Sequence, residues 1–175
     1  MATGSLIKID EEIVTSAVAS VTLGGSDWDS SYDVYMVKLN NVTGSVDTEH
    51  LFLRILVSSS PDTSANYDRA RKQLKSDTSF TNSSNTNETK TYIGQQIGTA
   101  SNSQTNAVMY LFNFNNASEY NFATLEELSW RQAGNLHGNQ GGWVSTVQQA
   151  SNGVQFYMED GNILSGTFTL YGLKK

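Results

Sequence analysis

Short runs rich in β-branched and aromatic residues, each closed by a cluster of turn formers, recur along the whole chain, and this punctuation constrains the fold more than any other feature. The runs are LIKI at Leu6 to Ile9, IVTSAVASVTL at Ile13 to Leu23, YDVYMVKL at Tyr32 to Leu39 and LFLRILV at Leu51 to Val57, followed by AVMYLFNF at Ala107 to Phe114 and YNFATLEELSW at Tyr120 to Trp130. WVSTVQQ at Trp143 to Gln149, VQFYM at Val154 to Met158 and GNILSGTFTLYGLKK at Gly161 to Lys175 complete the set. Between them stand GGSDWDSS, NNVTGS, SSSPDTS, NNAS, GNLHGNQGG, SNG and EDGN. Strand-sized segments separated by Gly, Asn, Asp and Ser clusters predict an all-β chain whose sheets bury their apolar faces on one another. The expectation is an antiparallel, jelly-roll-like β-sandwich forming a single domain over residues 1–175, with long polar loops.

The alternation within individual runs assigns faces. In the last run Leu164, Gly166, Phe168 and Leu170 fall opposite Ile163, Ser165, Thr167, Thr169 and Tyr171, so a terminal strand held inside a sheet is expected, with Phe168 and Leu170 buried. In YDVYMVKL both faces are apolar enough for a strand covered on two sides. The Asp-Gly in EDGN predicts a hairpin pairing VQFYM with the terminal strand. More than half of residues 76–106 are Ser, Thr or Asn, so this segment reads as a polar, loop-rich insertion carrying one short strand at TYIG, Thr91 to Gly94. The basic tract SANYDRARKQLK, Ser64 to Lys75, is the best helix candidate, with a solvated edge strand as the other reading.

Composition narrows the function. At 175 residues the chain can bury about 70% of its unfolded surface and needs no staples. It holds no cysteine, which removes disulfides, thiolate metal ligands and cysteine nucleophiles together. Eleven basic against seventeen acidic residues give a formal charge of −6, which disfavours nucleic acid and anionic membrane as partners. The beginning MATGSLIKIDEEIV has no basic stretch followed by an apolar one, so no signal peptide is expected.

Motifs with chemical content do not assemble into a catalytic set. In DWDSSYD, Asp27, Asp29 and Ser31 alternate as calcium ligands would, but an EF-hand loop starting at Asp27 needs Gly where Tyr32 stands and Glu where Lys38 stands. A turn held by aspartate side chains is the simpler reading, and no metal or cofactor is expected. Glu126 and Glu127 resemble a glycosidase pair, yet neighbours on a strand point to opposite faces; Glu119, Glu159 or Asp160 would have to complete a pair through space. His50 and His137 are far apart and have no adjoining ligand residue. Nucleophile elbow, phosphate loop and dinucleotide fingerprint are all missing, and the expectation is that the chain is not an enzyme.

The stretch WRQAGNLHGNQGGWVS, Trp130 to Ser145, frames a Gly/Asn loop with two tryptophans and a histidine. Tryptophan offers a large rigid face plus an N–H donor, suited to capping a sandwich end, to a protein contact or to stacking on a sugar. Trp28, Trp130, His137 and Trp143 are therefore the candidate partner- or glycan-contact residues.

With the strands placed, a resemblance emerges in TSAVASVT at Thr15 to Thr22, YDVY at Tyr32 to Tyr35 and ILSGTFTLYG at Ile163 to Gly172. These stretches and their flanks resemble a group of small β-sandwich virion proteins of tailed bacteriophages, notably marine ones. The resemblance implies a virion location after synthesis in the host cytoplasm, assembly as a homo-oligomer, foremost a homotrimer and otherwise a ring, and contacts with other virion proteins. It carries no catalytic residue. The expected role is a structural component on the outside of the particle, foremost a capsid decoration or cement protein, since no shaft or attachment segment precedes the domain. A tail-fibre or spike module that binds the host surface through glycans is the alternative.

Overall fold

The computed structural model describes residues 5–77, 80–131 and 133–174. Among the described residues thirteen strands follow one another: β1 Ser5–Val14, β2 Ser20–Gly24, β3 Val34–Gly44, β4 Glu49–Val57, β5 Ser60–Pro61, β6 Tyr67–Lys75, β7 Thr81–Glu88, β8 Thr91–Ile97, β9 Thr105–Phe112, β10 Asn121–Trp130, β11 Leu136–Ser145, β12 Gly153–Met158 and β13 Ile163–Lys174. A 3₁₀ turn, Gly25–Asp27, interrupts them. The strands form an eight-stranded antiparallel sheet in the order β1-β13-β3-β9-β10-β11-β6-β7 and a smaller one in the order β2-β12-β4-β5, with β8 also paired to β4. The two sheets pack face to face as a β-sandwich. Among the described residues no helix is long and apolar enough to cross a membrane.

Alternation decides which side chains enter the core. Tyr35, Val37 and Leu39 of β3 are fully covered while Lys38 is exposed, and Phe168 and Leu170 of β13 are buried with Tyr171 on the other face. Phe168 meets Phe156 of β12 across the sandwich with ring centroids 5.3 Å apart. β13 lies between β1 and β3, so the terminal run is paired on both sides, as its alternation predicts.

Three local expectations are overturned. EDGN does not close a hairpin: β12 pairs β2 and β4 in the small sheet, and β13 pairs β1 and β3 in the large one. The turn is a corner between sheets. Gly161 supplies the left-handed backbone (φ 72°), the Asp160 N–H donates to the Glu49 carboxylate at 2.7 Å, and the Asn162 N–H donates to Ser45 Oγ at 2.8 Å. The basic tract is strand, not helix, because Tyr67, Arg69 and Arg71 alternate inward against Asp68, Ala70 and Lys72; it lies one strand in from the edge. Residues 76–106 hold two full strands, β7 and β8, instead of one short one; residues 78 and 79 of that segment lie outside the described residues.

Candidate functional site

The large sheet presents two chemically distinct faces over its β9-β10-β11-β6 portion. Inward, the end of the sheet near Thr105 and His137 is polar. Thr105, Ser129 and His137 lie side by side across three strands, and Glu127 pairs with Asn139 in the next row. All five are buried, Glu127 to 2% exposure and His137 completely. The Asn139 amide donates to Glu127 Oε2 at 2.5 Å, and Gln73 of β6 donates to Gln95 of β8 at 2.9 Å, tying the large sheet to the small one. Arg69 and Arg71 cover the Tyr92 ring at 4.4 and 5.0 Å, and Arg69 also bonds Asn85.

This buried end carries polar atoms that make no hydrogen bond to the described protein: Arg71 Nε and Nη1, Glu127 Oε1 and both ring nitrogens of His137. Burial dominates the titration of its groups. It pushes the Glu127 carboxyl up to about 7, although the Asn139 amide and the Arg71 and Arg131 charges pull it down. Burial, helped by Arg131, Lys75 and Arg71, pushes His137 down to about 4, so its imidazole is neutral at pH 7.

Outward, the same strands expose large apolar side chains: Tyr110 at 39%, Phe122 at 45%, Leu128 at 50%, Trp130 at 44% and Leu136 at 42%. Through their middle runs a polar row at one register level. Lys38 of β3 lies opposite Val108 of β9, then come Glu126 of β10, Gln140 of β11, Lys72 of β6 and Asn82 of β7. Gln140 donates to Glu126 at 3.4 Å, and neither Lys38 nor Lys72 makes an ion pair among the described residues.

Gly138 and Gly142 flank Gln140 on the outward side of β11, where the neighbouring strand leaves no room for a side chain. A Cβ at Gly138 would lie 2.7 Å from Leu128 Cδ2, and one at Gly142 would strike the Ala123 carbonyl. Three adjoining depressions of about 350, 350 and 450 Å³ include Gln140 in their walls.

The four residues singled out by sequence separate. Trp130 is on the outer face, cross-strand from Leu136. His137 and Trp143 point inward and are buried, which removes them from direct contact with a partner; Trp143 packs against Tyr67 and Phe114. Trp28 is half-buried, stacks on Tyr35 at 3.9 Å and donates from Nε1 to Asn115 at 2.8 Å, closing one end of the sandwich. Glu126 faces out and Glu127 in, as their adjacency requires, while Glu159 lies 3.8 Å from His50 elsewhere. In DWDSSYD, Asp29 accepts the Ser31 N–H at 2.9 Å, an aspartate turn, and the described residues contain no cluster of three metal-ligating side chains.

Lys38, Lys72, Glu126 and Gln140 were not visible as a set in the sequence. The one local signal is GNQGG, in which glycines stand two residues before and after Gln140. No protein-family model matches the chain, and no curated protein matches its sequence.

Proposed function

We propose that this chain is a structural, non-catalytic component on the outside of a tailed-phage virion, and that the outer face of its eight-stranded sheet is its working surface. The observation that carries the reading is the concentration on that one face of Tyr110, Phe122, Leu128, Trp130 and Leu136. Apolar side chains gathered on one exposed sheet face mark an interaction surface. The phage setting rests on the resemblance in TSAVASVT, YDVY and ILSGTFTLYG. In a capsid decoration protein this face seats on the shell; in a fibre or spike module it meets the host. A homotrimer would present three copies of the face together.

Protein analysis of purified particles tests the setting. The chain is expected in many copies per particle, and the purified chain is expected to bind particles that lack it. Particles free of the chain, with no binding on add-back, overturn the proposal.

A further inference from the structure

We infer that the polar row across the outer face of the large sheet is a binding trough for an extended polyhydroxylated chain, an oligosaccharide of a host surface. This rests on the reading of that face as the working surface, and it selects host recognition over seating on a capsid.

The lay-out differs from that of an ordinary protein interface. Such interfaces have an apolar centre depleted of lysine and glutamate and a polar rim. Here the order is inverted. Lys38, Glu126, Gln140, Lys72 and Asn82, all exposed, occupy the centre, with the half-buried Val108 between Lys38 and Glu126. Leu128 and Leu74 stand in one neighbouring row, with Asn106, and Tyr110 stands in the other, with Thr124. An apolar protein surface seated here would desolvate two lysines that have no ion pair within the chain and offer them no counter-charge.

A sugar chain fits the same order. Its hydroxyls both donate and accept, and they meet an ammonium at Lys38, a carboxylate at Glu126, an amide that does both at Gln140 and a second ammonium at Lys72. The C–H faces of its rings rest on Leu128 and on the Tyr110 ring beside the row. Three depressions that meet at Gln140 give a ring the depth it needs. From β3 to β6 the row crosses four strand spacings, roughly 19 Å at about 4.8 Å each, long enough for several sugar units.

The test uses an array of immobilised bacterial surface oligosaccharides, followed by calorimetry of the full chain with the best-bound member. At least one oligosaccharide is expected to bind. Gln140→Ala and Lys72→Ala, both at exposed positions, are expected to weaken it tenfold or more, and Glu12→Ala on β1 to leave it unchanged. Unfolding midpoints of the variants verify that they fold, and hydroxyl-radical footprinting of the unaltered chain is expected to show protection at Tyr110 and Leu128 when sugar is bound. Binding to no array member, or binding insensitive to both substitutions, overturns the inference. So does loss of particle attachment or of self-association in Lys72→Ala, which would make the face a protein interface. Presence of the chain on particles without sugar binding removes this inference and leaves the virion reading intact, whereas sugar binding by a chain absent from particles does the reverse.

Discussion

Substituting Glu127 by Gln replaces a carboxyl that is 2% exposed with a neutral group of the same shape, and its effect on stability is expected to depend on pH in a defined way. In the folded chain burial raises this carboxyl from an ordinary 4.5 to about 7. A raised folded pKa gives a stability contribution that is complete below 4.5 and lost as pH rises through 7. The gap of about 2.5 pH units is worth about 3 kcal/mol at 1.36 kcal/mol per unit. His137 acts in the opposite sense. Its folded pKa is lowered from 6.5 to about 4, so its contribution is complete above 6.5 and lost as pH falls through 4. Between 4.5 and 6.5 the two slopes cancel in the unaltered protein. In Glu127→Gln only the histidine slope remains, and the stability difference, variant minus unaltered, should grow by about 3 kcal/mol from pH 4.5 to 7. Urea unfolding at constant ionic strength, in half-unit steps from pH 4.5 to 8, reads this difference directly. Parallel curves for the two proteins would refute the claim that Glu127 is held protonated by burial.

Further outcomes are expected elsewhere in the fold. Phe168→Ala removes a ring with no exposed surface and should cost about 3–5 kcal/mol in chemical denaturation; a loss under about 1 kcal/mol would contradict the buried terminal strand. Thermal unfolding in chelator and in millimolar calcium should superimpose, because Asp29 is engaged with its own turn, and a calcium-induced rise of several degrees would contradict this. Light scattering should report a homotrimer. Leu6, Ile7 and Ile13, exposed on the edge strand β1, are the apolar group to perturb, and Ile13→Glu should lower the mass if β1 is the contact; a monomer at micromolar concentration contradicts the trimer.

The sandwich is legible in this sequence where inward positions are apolar, as with Tyr35, Val37 and Leu39 in β3 or Phe168 and Leu170 in β13. It is illegible in β6, where the inward residues include Arg69 and Arg71 and the period-two pattern is disguised as a charge cluster. β7 has no apolar face at all, since as an edge strand it is held by pairing to β6 alone. EDGN misleads because Asp-Gly chemistry serves a hairpin and a corner between sheets equally, and only the ties to Glu49 and Ser45 decide between them. For the working face, rarity drew attention to Trp143 and His137, whose alternation takes them inward. The polar row is assembled from β3, β10, β11, β6 and β7, with Val108 of β9 between its first two members, and cross-strand register among six strands is not written in any one of them.

A reconstruction of the phage particle at side-chain resolution tests the central claim most directly. The chain is expected on the particle exterior with the row from Lys38 to Lys72 turned outward and open to solvent. A chain absent from the particle, or one whose large sheet lies flat against another virion protein along that row, would contradict it.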